Sequence, residues 1–197
     1  MTDYVAKANQ YIADVLAGKI PACRAGVVNA CRRQIQDLKR QKTADFPYYF
    51  DPESADRVCT FAELLKNIKG PSAGEHLQLE PWQCFFITTV FGWKKTENGR
   101  RRFNFVYLEV PRGNGKSTLS SAIALYMLCA DGELSADVYS FATTRDQARI
   151  VFDDAKAMAQ QSKQELADAF GLKILNNSLL IPEKNCKFLP KASEDST

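Results

Sequence analysis

Phe103-Asn-Phe-Val-Tyr-Leu-Glu-Val-Pro-Arg-Gly-Asn-Gly-Lys-Ser-Thr118 is the stretch from which the rest of the chain is best read. Residues 103–110 are rich in aromatic and β-branched side chains, the composition of a buried strand. Pro111, Arg112, Gly113 and Asn114 supply a turn. Leu119, Ile123, Ala124, Leu125 and Leu128 then recur at helical spacing. Strand, glycine turn and helix N-terminus together make a phosphate-binding loop, in which backbone N–H groups and the positive end of a helix face a polyphosphate. Gly113 and Gly115 let the backbone curl and approach the ligand. Lys116 reaches the β- and γ-phosphates as a mobile charge, and the Ser117 hydroxyl holds Mg²⁺. Asn114 and Thr118 complete the run of loop amides. The competing reading of these residues is a plain strand–turn–helix connection with an exposed lysine. The full G-x-x-x-x-G-K-[ST] pattern also places Gly where this chain has Val110.

Upstream of the loop stand Phe50-Asp-Pro52, Leu79-Glu-Pro-Trp-Gln83, Phe91-Gly-Trp93 and Arg101-Arg-Phe103. In this order, and followed by Glu109-Val-Pro-Arg-Gly-Asn-Gly-Lys-Ser-Thr118, they resemble the large terminase subunit of tailed bacteriophages. The resemblance runs from about Tyr48 to Gln160 or beyond. It implies an ATP-driven motor that packages double-stranded DNA into a capsid. Its phosphate loops have the form R-x-x-G-K-[ST], which Arg112 to Ser117 matches without a glycine at 110. It implies ATP and Mg²⁺ as cofactors. The implied partners are the small terminase subunit, the portal and procapsid, and further copies in a ring, in the cytoplasm of a bacterial host. It also implies a nuclease domain in the full protein.

The same resemblance makes Gln83 an adenine-recognising amide, able to donate and accept on the base edge at once. Alone, it reads as a polar residue on an amphipathic helix. Arg112, on the loop itself, has a fixed donor fork suited to a γ-phosphate, and the resemblance gives it a part in stabilising transition-state charge. The plainer reading is a solvated loop arginine. Thr143, Thr144, Arg145 and Gln147 lie where a strand would end and a helix begin. They fit contact with DNA or relay of nucleotide state, and they fit simple helix capping equally well.

Working outward, the expected fold is α/β: a P-loop NTPase of three α/β/α layers with a mostly parallel sheet, preceded by a helical segment. Residues 1–75 form that helical segment and residues 76–197 the first part of the ATPase domain, cut before an acidic strand. Helices are expected over residues 4–17 and 22–40. Another is capped by Asp51, with Pro52 first and an apolar stripe from Val58 to Ile68. A further helix starts at Pro81 and ends near Gly92, and Asn98-Gly99 turns the chain into the loop strand. After the loop helix, residues 137–142 make a second strand, so that the two strands and the helix between them form a βαβ unit. Thr144 and Gln147 have capping-box spacing for a helix to about Gln161. Short strands around Asn176-Asn177-Ser178 read as a hairpin or small meander.

Composition narrows the function classes. Hydrophobic residues at 45% and charged residues at 25% are those of an ordinary globular chain. A net charge of +3 does not by itself announce nucleic-acid binding, although Arg32-Arg33, residues 39–42 and residues 100–102 are basic clusters. No apolar run approaches the ~20 residues of a membrane span. Six widely spaced cysteines and one histidine, His76, argue against a zinc site or disulfide framework and favour a reducing compartment. Cys31, Cys84 and Cys129 read as small core residues. Hydrolysis also needs an acidic pair after a strand, and Asp153-Asp154 falls inside a helical pattern instead. The alternatives are a small P-loop kinase, which leaves Trp82-Gln83 unexplained and lacks a clear lid, and a non-catalytic partner-binding module in residues 1–70.

Overall fold

Asp3 opens the first helix, its carboxylate accepting the Ala6 amide at 2.7 Å. The computed structural model describes residues 2–192. In chain order they form α1 (Tyr4–Leu16), a π-helical turn (Arg24–Val28), α2 (Asn29–Arg40), β1 (Tyr48–Phe50), α3 (Pro52–Leu64), α4 (Pro81–Gly92) and β2 (Trp93–Lys95). Then come α5 (Lys116–Cys129), β3 (Asp137–Ala142), α6 (Arg145–Gln161), α7 (Lys163–Phe170), β4 (Lys173–Ile174), β5 (Leu179–Ile181) and β6 (Cys186–Ala192). Two compact units result, Met1–Thr60 with Leu79–Leu108, and Phe61–Gln78 with Glu109–Thr197.

In the first unit, Tyr4, Ala8, Ile12 and Val15 recur along one face of α1 and are buried. α1 packs on α4, with the Tyr11 and Phe85 rings 5.6 Å apart and the Lys7 ammonium donating to the Leu79 carbonyl. α4 begins with Pro81 and a complete capping box between Glu80 and Gln83. β1 and β2 pair antiparallel with Tyr48 opposite Lys95 and Phe50 opposite Trp93. Gly92 is required here, because a Cβ would come within 2.5 Å of the Phe50 ring. Trp93 is fully buried and donates from Nε1 to the Gln34 side chain at 2.7 Å. Arg102 pairs with Asp37 at 2.6 Å and lies 4.6 to 5.5 Å from the rings of Phe46, Tyr48, Trp93 and Phe103. A buried charge is tolerable because it is both paired and stacked.

In the second unit, α5 and α6 pack on each other and α6 lies against β3 and β6. The sheet order is β3-β6-β5-β4, with β3–β6 parallel and the other two pairs antiparallel. The mostly parallel sheet read from the sequence is therefore a mixed one. The cause is the hairpin at residues 175–178, which sends β5 back along β4 before β6 returns beside β3. Phe152 and Phe188 are fully buried with ring centroids 5.3 Å apart. Ser140 and Ser121 satisfy their buried hydroxyls on the Ala148 and Val151 carbonyls of α6, at 2.7 and 2.9 Å.

Three expectations change. The stretch before the loop, residues 103–110, is in no strand, and Phe105 and Tyr107 are 95% and 85% exposed. Its composition suits a pleated surface, but a strand needs a neighbour, and among the described residues β3 to β6 pair only with one another. The expected βαβ unit around α5 is accordingly not formed, and the parallel crossover instead leaves β3 through α6 and returns at β6. α3 ends at Leu64, short of Ile68, because the following backbone enters an antiparallel bridge between Lys66 and His76 and the Leu77 amide bonds to the Leu65 carbonyl at 2.8 Å. α7 adds a helix the sequence pattern did not announce.

Candidate functional site

The loop of the second unit takes its shape from two glycines. Gly113 has φ +84° and Gly115 φ +70° with ψ +17°, both left-handed, where an L side chain is strained. Gly115 is also the N-cap of α5, and no side chain caps the helix. The first intrahelical bond closes from the Leu119 amide to the Gly115 carbonyl at 2.9 Å. The amides of Lys116, Ser117 and Thr118 are thus the orphan donors of a helix N-terminus. Asn114 folds inward, its side-chain amide directed to the Pro111 and Arg112 carbonyls at 3.3 and 3.4 Å, which tightens the curl. Residues 111–114 and Lys116 are exposed, whereas Ser117 and Thr118 are half-buried and Leu119 is buried. One turn further on, the Ser121 hydroxyl donates to the Ser117 carbonyl at 2.8 Å, so the anchored core of α5 fixes the loop's downstream end.

This arrangement fits a polyphosphate. An anion here would meet orphan N–H groups, a helix dipole end without a competing side-chain cap, and the adjacent Lys116 and Arg112. Ser117 stands at the first turn where a hydroxyl can ligate a phosphate-bound cation. Among the described residues no cluster of His, Cys, Asp and Glu could hold a metal by itself.

Gln83 lies in the other unit, on the first turn of α4. Its side-chain oxygen accepts the Glu80 amide at 2.8 Å. The oxygen keeps a second lone pair and the NH₂ group its two donors, so capping and base recognition are compatible. Thr144 caps α6, accepting from the Gln147 amide, and the Thr143 hydroxyl donates to the Gln147 side chain at 2.9 Å. The capping role of this segment is therefore realised. Asp153 pairs with Arg149 at 3.3 Å and Asp154, buried, with Lys69 at 2.6 Å, both from α6. Neither ends a strand.

A cleft of about 370 Å³ opens where β6 ends and α6 begins, lined by Arg145, Arg149, Asn177 and Lys191 among others. The sequence singled out Arg145 alone. Arg149 follows it one helical turn later, a spacing that could have marked the pair, but Asn177 and Lys191 arrive through the hairpin and carry no local signal.

Fold and loop together define an α/β protein with an uncapped helix N-terminus behind a glycine turn. The family described as the ATPase domain of the terminase large subunit matches residues 81–194, more than half of the chain, and the chain belongs to that family. Among solved structures, the large terminase of bacteriophage HK97 aligns with a TM-score of 0.59 at 24% identity, covering 73% of this chain and 28% of that one, and shows the same fold. This chain thus spans under a third of that protein's length. No curated protein matches. Among the described residues no helix is long and apolar enough to cross a membrane.

Proposed function

We propose that this chain is the ATP-binding part of a viral DNA-packaging motor, in which ATP hydrolysis drives duplex DNA into a capsid. The observation that carries it is the uncapped N-terminus of α5, opened by left-handed Gly113 and Gly115 inside the region that matches the terminase ATPase family. In this reading the amides of residues 113–118 would cradle the phosphates, Lys116 would neutralise the β- and γ-oxygens, and Ser117 would hold the accompanying Mg²⁺. Bound MgATP supplies the phosphoanhydride and the charge neutralisation. Arg112 reads the terminal phosphate with its donor fork, and Gln83 reads the adenine edge. The functional division falls near residue 75, with the nucleotide loop in residues 76–197, as the first part of a three-layer P-loop domain. The family resemblance extends the proposal to a nuclease in the full protein, to a small terminase subunit and portal as partners, and to a ring of copies in the host cytoplasm.

Hydrolysis by residues 1–197 alone should be slow, since Asp153 and Asp154 lie on α6, paired with Arg149 and Lys69, and end no strand. The test is calorimetry with MgATP on the parent and on Lys116→Ala. The parent should release heat that the variant loses by at least tenfold in affinity. Identical titrations, or no binding by folded parent, would remove the nucleotide site.

A further inference from the structure

Charge is divided unevenly between the two units. Met1–Thr60 with Leu79–Leu108 carries 14 Lys and Arg against 9 Asp and Glu, a formal +5, and the other unit 12 against 14, a formal −2. Within the first unit much of this excess gathers on one small ladder. Tyr49 stands opposite Lys94 in the β1–β2 pair, and Lys94 in turn bridges Arg101. Residues directly opposite share a face. The other face, with Tyr48, Phe50 and Trp93, is the one that stacks on Arg102 and on itself. Tyr49, Lys94 and Arg101 thus line the outward face. Lys42 joins them, its amide bonded to the Tyr48 carbonyl at 2.8 Å and its ammonium 5.6 Å from the Tyr49 ring. Asp51 lies close enough to Lys94 to feel its charge, so Lys94 is partly compensated. The nearby Asp45 is held by Arg40 at 2.9 Å.

We propose that this ladder face, centred on Lys42, Lys94 and Arg101, is a contact surface for the phosphate backbone of duplex DNA, an inference that rests on the motor reading above. The two strands and the bridged Arg101, at ~4.8 Å spacing, spread the cations over about 10 Å, a length along which a duplex carries about six phosphate charges. The composition favours DNA over an acidic protein surface. Protein interfaces are anchored by apolar cores from which lysine is depleted, whereas this face sets exposed Lys42 and half-buried Lys94 and Arg101 around the half-buried Tyr49 phenol, with the buried Phe91 ring 5.6 Å from the Arg101 guanidinium. Single-stranded nucleic acid is disfavoured as well, because stacking needs open aromatic faces, whereas the Tyr49 ring has Lys42 near it and the Phe91 ring is buried with Arg101 near it.

The experiment is anisotropy of a labelled random-sequence duplex with the 197-residue chain over a salt series, for the parent, Lys42→Ala, Arg101→Gln, the double variant, and Lys163→Ala as a control from the other unit. Each ladder substitution should weaken binding about five-fold at low salt and reduce the slope of log K against log salt by about 0.9. The double variant should lose about twice that slope, and Lys163→Ala should match the parent. The proposal is overturned if the double variant keeps the parental slope, if the parent binds no duplex at the lowest salt, or if poly-glutamate displaces the duplex as well as heparin does. MgATP affinity and thermal midpoint, measured on the same samples, separate the two claims. Parental ATP binding with insensitive DNA binding sinks only the ladder, while absent ATP binding sinks the motor reading.

Discussion

Replacing Gly113 by alanine isolates what the loop's backbone contributes. Its φ is +84°, and a Cβ built there meets no atom within 4 Å, so the substitution adds backbone strain without a clash. A left-handed L-residue costs about 1–2 kcal/mol. In the free protein the variant loop can relieve that strain by leaving the left-handed conformation, which disperses the amides aimed at the phosphates. The binding-competent fraction then falls, and apparent affinity for MgATP falls with it by about 5- to 30-fold. Gly132 provides the control, with φ +87° and the same open space but a position in the turn after α5. Both alanine variants should lower the thermal midpoint by about 2–8 °C, and only Gly113→Ala should weaken nucleotide. Calorimetric titration with MgATP beside a melting curve reads both quantities. Parental affinity in Gly113→Ala, or equal weakening in Gly132→Ala, would refute the cradle geometry.

Phe152 is fully buried against Phe188, so Phe152→Ala should cost about 3–5 kcal/mol and lower the thermal midpoint by about 6–20 °C; a smaller shift than this would mean the aromatic pair is not central to the core of the second unit. Of the six cysteines Cys23 alone is exposed, and burial pushes the Cys129 thiol up to about 12 and the Cys31 thiol to about 11. An aromatic disulfide reagent at about pH 8 should therefore release one equivalent quickly and the rest only in denaturant, and two fast equivalents would contradict the packing. Burial raises the Asp56 carboxyl above its ordinary 3.8, helped by Asp3 and partly offset by the Tyr4 and Val5 amides. A raised carboxyl binds its proton more tightly folded than unfolded, so its penalty is fully present above the folded value and disappears below the unfolded one. Asp56→Asn should therefore stabilise the protein at pH 7, by a margin that narrows as pH falls through the carboxylate range; a margin that widens in acid would reverse the assignment.

Local signals were legible and non-local ones were not. Pro81 at a helix start, Thr144 with Gln147, and the helical periodicity of α6 depend on residues within one or two turns, and α4 and α6 end within a residue of where the pattern put them. Asn176-Asn177-Ser178 likewise marked the β4–β5 hairpin, since turn chemistry is local. What β6 does next is not local. Cys186–Ala192 joins β3 in parallel across more than forty residues, and nothing in either strand's composition names the other as its partner. The end of α3 was lost for the same reason, because its apolar stripe continues while a bridge to His76 takes the backbone away. In the candidate site, the glycine loop was read from spacing alone, whereas Asn177 and Lys191 reach their cleft only through the hairpin.

The glycine loop keeps its shape although the lead-in stretch forms no strand. Residues 103–110 have strand composition and no ladder partner, yet Gly113 and Gly115 still hold the left-handed curl before α5. The difference lies in what fixes each. A strand is stabilised by neighbours, and without them its N–H and C=O groups are better served by water. The curl is fixed from within and from downstream. Gly113 and Gly115 occupy left-handed conformations that glycine adopts at little cost, and Asn114 bonds back to the turn. Behind them Ser121 donates to the Ser117 carbonyl, and Leu119, Ala122 and Leu125 bury the same helix. An α5 anchored along its buried face is therefore sufficient to present its first amides in one direction. Substitutions in the exposed lead-in, such as Phe105→Ser, should consequently leave nucleotide affinity within twofold of the parent, while Leu125→Ala, which loosens α5 from inside, should lower affinity and thermal midpoint together. Calorimetry and melting of these two variants decide between the strand and the helix as the support of the loop. A Phe105→Ser protein that folds normally but no longer binds MgATP would show that the lead-in, and not α5, holds the amides in place.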